Sequence, residues 1–224
     1  MSERRYDILI FDWDGTLMDS TAWIVECMQC GIVDTGLESR SDEAIRGIIG
    51  LGLTEAIREL YPEADGQEVQ ALCTAYREHY FSADERCELF PGVEDVLDDL
   101  RLQGYWMAIA TGKSRRGLDK VLAQTGLGPA FPVTRTADET LSKPNPLMLR
   151  EIVTDFDSHA SRCLMIGDSL FDIQMAENAG MDALGVSWGV QEAENLLGLD
   201  PAGLIHEMIE LPDWLRQKAG TRVA

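Results

Sequence analysis

Two aspartates separated by one residue, Asp12 and Asp14, are the first side chains along the chain whose type and spacing suggest chemistry. Two carboxylates this close repel each other, which raises the pKa of one of them unless a cation or hydrogen-bond donors intervene. The pair therefore indicates either two carboxyl groups with different roles in proton transfer or a metal site. Because carboxylate oxygens are hard ligands, such a metal site favours Mg²⁺ or Ca²⁺ over zinc.

Four more residues with suitable chemistry follow later in the chain: Thr111, Lys143, Asp168 and Asp172. Each has an ordinary structural explanation when taken alone, as a turn residue, a solvated cation or a helix cap. Asp168 and Asp172 are four residues apart, so a helix that opens here would place both on one face at its positive end. Together the set supplies carboxylates for a divalent metal, and a hydroxyl and a cation for phosphoryl oxygens.

One segment imitates a different phosphate site. Gly112-Lys113-Ser114 resembles the end of the phosphate-binding loop of nucleotide triphosphatases. That loop requires a glycine five residues before its last glycine, and this chain has Met107 there. The motif is therefore incomplete, and a nucleotide triphosphatase is not predicted.

The first carboxylates follow an apolar run, Ile8-Leu9-Ile10-Phe11, which is typical of a strand buried on both faces of a parallel sheet. Gly15 and Thr16 indicate a turn at its end. Open parallel sheets place their ligands at the carboxyl ends of the strands. Residues two apart in a strand point to the same side. Asp12 and Asp14 are therefore expected to face one ligand.

Strands and helices alternate from Pro91 onward. The predicted strands are 105–110, 132–135, 163–166 and 183–186, the last of these being the final strand of the chain. The predicted helices are 92–103, 116–125, 146–156 and 170–179, with Asn145 as a cap before Pro146. This alternation predicts an α/β fold with a Rossmann-like core, in which a parallel sheet carries helices on both faces.

The stretch from Met18 to Phe81 shows only helical patterns, which predicts a small helical domain inserted after the first strand. Its first helix is expected to be capped by Asp19 or Ser20 and to end at Gly36. The predicted division is a catalytic core formed by 1–17 and 85–224, and a helical cap domain formed by 18–84.

The charge of the chain excludes one class of partner. The formal net charge is −20, from 39 acidic and 19 basic residues. Nucleic-acid binding depends on neutralising phosphates with lysine and arginine, so a nucleic-acid partner is not predicted. An anionic small substrate requires a metal and a few local cations at the site.

No stretch of the sequence approaches the roughly 18 apolar residues of a membrane span, and the N-terminal residues show no cleavage site of a signal peptide. A soluble cytoplasmic protein without membrane contact is therefore expected. The five cysteines are an odd number and are expected to be reduced thiols. Cys27 and Cys30 form a C-x-x-C spacing, but no second pair or nearby histidine completes a zinc site.

In this order the motifs resemble those of the haloacid-dehalogenase superfamily of phosphohydrolases, over nearly the whole chain. They are Asp12-Trp13-Asp14-Gly15-Thr16, Thr111-Gly112, Lys143-Pro144 and Gly167-Asp168-Ser169-x-x-Asp172. The helical insert and the late Val186-Ser187-Trp188-Gly189 are most similar to the phosphoglycolate-phosphatase branch. Trp13 departs from the Phe, Met or Leu of most relatives, but it is apolar, so no change of chemistry is expected.

The resemblance implies a Mg²⁺-dependent phosphatase that acts on a small phosphorylated metabolite. It implies that Asp12 attacks phosphorus to form an aspartyl-phosphate, and that Asp14 protonates the leaving alkoxide and later activates water. It also implies a metal site made by the carboxylates of Asp12 and Asp168 and the backbone carbonyl of Asp14, with Asp172 in support.

The remaining implied roles concern the substrate. Thr111, Gly112 and Lys143 are expected to hold the transferring phosphoryl group, and Arg46 in the glycine-rich segment 46–52 is the candidate contact to the leaving group. A solvated arginine at a helix end is the competing explanation of Arg46. Both a monomer and a homodimer are compatible with the sequence.

Three other functions are alternatives to this one. A phosphomutase would share the same core, and would turn over only a sugar phosphate with a bisphosphate primer. A dehalogenase would not need Asp14 as an acid, so the intact pair of aspartates counts against it. A binding protein that kept the fold and lost the chemistry is less favoured, because no motif residue is missing.

Overall fold

The computed structural model describes residues 4–82 and 87–219, and its core is a six-stranded sheet. The strands are β1 (Ile8–Phe11), β2 (Met18–Asp19), β3 (Glu88–Leu89), β4 (Trp106–Thr111), β5 (Val133–Thr136), β6 (Cys163–Gly167), β7 (Asp182–Val186) and β8 (Gly203–Ile205). The order in the main sheet is β5-β4-β1-β6-β7-β8, and each neighbouring pair is parallel. The first strand therefore lies in the middle of the sheet.

Helices connect the strands. They are α1 (Thr21–Thr35), α2 (Asp42–Arg46), α3 (Leu53–Leu60), α4 (Gly66–Ser82), α5 (Val93–Leu102), α6 (Arg115–Thr125), α7 (Leu147–Asp155), α8 (Leu170–Ala179), α9 (Ala193–Leu197) and α10 (Leu211–Lys218). Among residues 4–82 and 87–219, none is long and apolar enough to cross a membrane.

Both faces of the sheet are covered by helices, because successive residues of a strand point to opposite faces. Leu9 and Phe11 of β1 pack in one apolar layer with residues of α5, α6 and α10. Ile8 and Ile10 pack in the other layer with residues of α7, α8 and α9. The predicted α/β fold, with a parallel Rossmann-like sheet between two layers of helices, is confirmed.

The first four helices have an apolar cluster of their own, to which each of them contributes buried residues. The helices α1 and α4 pack closely where a glycine allows it, since a Cβ on Gly31 would lie 3.1 Å from Leu72 and 3.2 Å from the backbone of Tyr76. Residues 83–86, in which the predicted boundary at 84 and 85 falls, lie outside the described residues. The division into core and cap domain stays a prediction.

Two predictions about strands were wrong. The stretch from Met18 is not helical throughout, because Met18 and Asp19 form β2 and pair antiparallel with Leu89 and Glu88 of β3. A pair of two-residue strands is too short to show an alternating pattern. The strand 183–186 is also not the last, since β8 pairs with β7. The strand β8 has three residues and begins with Gly203, where a Cβ would lie 2.4 Å from the Trp214 ring.

Helix ends agree with the sequence in most places. Gly36, Gly126 and Gly180 end α1, α6 and α8 in the left-handed conformation that favours glycine. The helix α7 begins at Leu147, one residue later than predicted. The side chain of Asn145 accepts a hydrogen bond from the backbone N–H of Leu147.

Candidate active site

The nucleophile candidate lies at the centre of the sheet. Asp12 directly follows β1, and its backbone N–H donates to Ile166 of β6 at 2.9 Å. The registers pair Phe11 with Ile109 on one side and with Ile166 on the other. Thr111 and Asp168 each lie two residues beyond those partners. The parallel register therefore brings all three predicted residues to one edge of the sheet.

A buried lysine bridges two of the predicted carboxylates. The ammonium of Lys143 lies 2.8 Å from Asp12 Oδ1 and 2.7 Å from Asp172 Oδ1, and all three side chains are almost completely buried. Burial alone would lower the pKa of Lys143, but the two carboxylates hold that pKa above its ordinary value. The lysine is therefore a permanent cation next to Asp12.

Asp168 is held from both sides of its carboxylate. Thr16 Oγ1 donates to Oδ1 at 2.8 Å, and the backbone N–H of Val190 donates to Oδ2 at 2.8 Å. Two glycines allow the surrounding loops to approach this closely, since a Cβ on Gly15 or Gly189 would lie 2.2 Å from Asp168. Its orientation is therefore fixed by the first loop and by the loop after β7.

Asp172 is fixed by the start of α8. Ser169 caps this helix in a capping box, in which its backbone N–H and hydroxyl donate to Asp172 Oδ2 at 3.1 and 2.7 Å. A role as helix cap is the ordinary structural explanation of Asp168, but the N-cap of α8 is Ser169. Asp168 precedes the helix, so the two aspartates do not form an i, i+4 pair on its surface.

Asp12, Asp168 and Asp172 form a candidate metal site. Each offers one carboxylate oxygen, and these oxygens lie within 4.8 Å of one another. Burial raises the pKa of Asp12 to about 7 and that of Asp168 to about 8; for Asp12, Lys143 opposes this rise, while the neighbouring carboxylates add to the rise of both. Three buried carboxylates beside one lysine fit a hard divalent cation, which would compensate the remaining negative charge.

Asp14 is not part of this carboxylate cluster. Its Oδ1 accepts hydrogen bonds from Ser20 Oγ at 2.5 Å and from Lys113 Nζ at 2.8 Å. Ser20 lies at the N-cap position of α1, as predicted, but its side chain makes no cap hydrogen bond and bonds Asp14 instead. Participation of Asp14 in a metal site, through its backbone carbonyl, stays a prediction.

Above these residues lies a cavity of about 310 Å³, close to the lower end of the range of small-molecule sites. Asp12, Asp14, Thr111 and Gly112 line it from the core, and mainly apolar residues of α1–α4 line it from the other side. A Cβ on Gly112 would lie 2.5 Å from the backbone oxygens of Gly50 and Leu51. Glycine at 112 is therefore needed for the backbone contact that closes the cavity.

The structure separates the two arginines near this cavity. Arg46, the predicted contact to the leaving group, is exposed at the end of α2 and is not among the residues that line the cavity. Arg77 of α4 does line it, and forms no ion pair within the described part of the chain. The geometry does not support the contact predicted for Arg46.

Several residues of the site were not predicted. In the sequence, Lys113 is part of an incomplete phosphate loop, although it directly follows the Thr111-Gly112 motif. Trp188 is part of a branch motif, and in the structure its indole N–H donates to Thr16 O at 3.1 Å. Contacts of this kind join loops that are far apart in sequence, so no local pattern identifies them.

Known proteins resemble this chain over most of its length. Residues 9–186 match the family model described as haloacid dehalogenase-like hydrolase. The chain is 31% identical over 211 residues to a Dickeya dadantii protein named "Probable phosphatase IndB", covering 91% of both chains. It is 31% identical over 212 residues to the plasmid phosphoglycolate phosphatase of Cupriavidus necator, covering 91% of this chain and 90% of that protein.

The architecture also has close matches. A crystal structure of a hydrolase from Pseudomonas syringae superposes with a TM-score of 0.87 and covers 95% of this chain and 99% of that chain. The two sequences are 20% identical, so this likeness concerns the fold alone.

Proposed function

The chain belongs to the haloacid dehalogenase-like hydrolase family, and we propose that it is a Mg²⁺-dependent phosphatase of small phosphate monoesters. The observation that carries this proposal is the buried Asp12 carboxylate at the base of the cavity, 2.8 Å from the ammonium of Lys143. Two relatives carry phosphatase names, and one of them is a phosphoglycolate phosphatase. Phosphoglycolate and similar small phosphorylated metabolites are therefore the substrates that we propose first.

In the proposed reaction, the Asp12 carboxylate attacks phosphorus and the bond between phosphorus and the ester oxygen breaks. Asp14 gives its proton to the departing oxygen. Asp14 then takes a proton from water, whose oxygen attacks phosphorus, releases phosphate and restores the Asp12 carboxylate. The two aspartates thus divide nucleophilic and proton-transfer roles between them.

The surrounding residues support this chemistry. Thr111 Oγ1 accepts a hydrogen bond from the backbone N–H of Lys113 at 3.2 Å, which leaves its own O–H to donate to a phosphoryl oxygen. Lys143 offers a buried positive charge to the same group. Mg²⁺ held by Asp12 and Asp168, with Asp172 in support, would supply further positive charge for the phosphoryl oxygens.

The direct test is phosphate release from a panel of esters that includes phosphoglycolate, sugar phosphates and nucleoside monophosphates. We expect release with Mg²⁺, none with excess EDTA, and recovery when Mg²⁺ is added back. Folded protein that releases no phosphate with Mg²⁺ would contradict the proposal. In that case, conversion of a sugar phosphate in the presence of a bisphosphate primer would indicate the phosphomutase.

Arg77 is the cavity residue that we propose as the contact to a carboxylate on the leaving group. We expect Arg77→Met to raise the KM for phosphoglycolate about 10–100-fold, because a hydrogen bond to a charged group contributes roughly 1.5–3 kcal/mol. The KM for ethyl phosphate, which has no carboxylate, should change little. Steady-state kinetics of both esters provides the measurement.

Arg46→Met is the matched control, since it removes an exposed arginine outside the cavity. It should leave both KM values close to those of the wild type. An equal rise of KM for the two esters in Arg77→Met, or a selective rise in Arg46→Met, would show that Arg77 does not recognise the carboxylate.

A further inference from the structure

Lys113 is a buried cation between the sheet and the helix α4. It lies just after β4, and its ammonium is 2.8 Å from Asp14 Oδ1 and 2.8 Å from the hydroxyl of Tyr80 on α4. The side chain of Lys113 is 5% exposed and that of Asp14 is 10% exposed. The three residues form a continuous chain of polar contacts from α4 to Asp14.

The two oxygens of Asp14 have different surroundings. Oδ1 accepts from both Lys113 and Ser20, at 2.8 and 2.5 Å. Oδ2 accepts no hydrogen bond from any of the residues 4–82 and 87–219, and Asp14 lines the cavity. Because two donors already point at Oδ1, a proton carried by Asp14 resides on Oδ2. That oxygen is the one available to the leaving group.

We propose that Lys113 is a positioning residue, which holds Asp14 so that Oδ2 delivers the proton to the leaving oxygen, and that Tyr80 makes this arrangement depend on the docked position of α4. The inference rests on the proposed function, since it assigns the residues that orient its acid. Lys113 itself does not touch the substrate in this scheme.

The energetic cost of this arrangement argues against a purely structural role. Removing a lysine from water is unfavourable, and replacing a buried ion pair by apolar residues of similar volume is often neutral or stabilising. Apolar surface also lies beside the ion pair, since the Lys113 ammonium is 5.1 Å from the centre of the Tyr80 ring, which stacks on Tyr76. An ion pair kept in such a place is best explained by its effect on Asp14.

The contact to Tyr80 adds a conformational condition. Tyr80 belongs to α4, whose other buried residues pack in the apolar cluster of α1–α4. Movement of this segment away from the core would withdraw the hydroxyl from Lys113 and admit water to the ion pair. The proposed positioning of Asp14 therefore depends on the packing of α4 against the core.

The test is Lys113→Met, measured as kcat/KM with a series of phosphate esters whose leaving groups differ in pKa. These values report the steps up to release of the alcohol, in which Asp14 acts as acid. Alkyl esters need a proton on the departing oxygen, whereas nitrophenyl phosphate needs little help. We expect a loss of about 10–100-fold for alkyl esters, part of the ~10²–10⁴ that an acid contributes, and little loss for nitrophenyl phosphate.

Tyr80→Phe is the second variant, because it keeps the ring over Lys113 and removes only the hydroxyl. It should show a smaller loss with the same dependence on the leaving group. Lys120→Met is the matched control: its ammonium lies 5.9 Å from the same ring and takes no part in the hydrogen bonds of Asp14. It should leave the dependence on the leaving group unchanged.

Asp14→Asn separates this inference from the proposed function. If Asp14 is the acid, Asp14→Asn alone makes kcat/KM depend more steeply on the pKa of the leaving group. Adding Lys113→Met to Asp14→Asn should then not change this dependence further. Equal loss for alkyl and nitrophenyl esters in Lys113→Met, or no loss, would overturn the positioning role. If kcat/KM of Asp14→Asn depends on the leaving-group pKa no more steeply than that of the wild type, the proposed role of Asp14 would be overturned instead.

Discussion

Asp12→Asn is expected to lower the turnover of every phosphate ester by about four to six orders of magnitude, the scale seen when a nucleophile is removed from an enzyme. The amide is a poor nucleophile and cannot form the aspartyl-phosphate. The substitution leaves the backbone hydrogen bond from Asp12 to Ile166 in place. The measurement is steady-state phosphate release with Mg²⁺ at saturating ester.

Asp19→Asn is the matched control, since it removes an aspartate that is exposed on the same segment of chain. It should leave turnover close to that of the wild type. Acid quenching of the wild type with labelled ester should trap label on the protein, and Asp12→Asn should trap none. Substantial turnover by Asp12→Asn would contradict the covalent mechanism, and a binding protein predicts no turnover from either variant.

Lys143→Met is expected to abolish turnover and to lower the free energy of unfolding by about 3–5 kcal/mol in metal-free protein, because it leaves buried carboxylates without their cation. The loss should grow from pH 5 to pH 9. Lys143 opposes the rise that burial causes in the pKa of Asp12, which is about 7 in the presence of the lysine. Removing the lysine raises that pKa further in the folded variant, so the charge of Asp12 opposes folding more strongly as the pH rises through this range.

Urea unfolding at the two pH values, in EDTA and in Mg²⁺, measures this effect. Mg²⁺ should restore part of the lost stability, because a bound cation replaces the missing charge. Lys218→Met is the control, since this lysine is half-buried and contacts a backbone carbonyl and the Trp214 ring, with no ion pair to a carboxylate in the described part of the chain. A destabilisation by Lys143→Met that is independent of both pH and Mg²⁺ would mean that the lysine contributes packing alone.

The core of the fold could be predicted because its signals are local. β1, β4 and β6 are mainly apolar runs that lead directly into the polar residues of the site, and glycines end α1, α6 and α8. β2 and β8 could not be predicted, because they contain only two and three residues and are stabilised by partners distant in the chain. Pairing with a neighbour, and not residue preference, makes these segments strands.

The candidate site divides in the same way. The carboxylates, Thr111 and Lys143 were predicted from their order and from the strands they follow, and the register of the sheet brings Asp12, Thr111 and Asp168 to one edge. Lys113 and Tyr80 could not be assigned, since they meet across the gap between α4 and the core. Arg77 was missed for a related reason: which residues of a helix line a cavity depends on how the helix is docked.

The loop after β7 has a consequence for the order of events during protein synthesis. The backbone N–H of Val190 donates to Asp168 and the indole N–H of Trp188 donates to Thr16, so the carboxylate cluster around Asp12 is supported by residues that are translated long after it. Asp12 emerges from the ribosome long before these partners exist. The nascent chain therefore carries Asp12 without these contacts, and the proposed site is completed only when β7 and the loop after it have been synthesised.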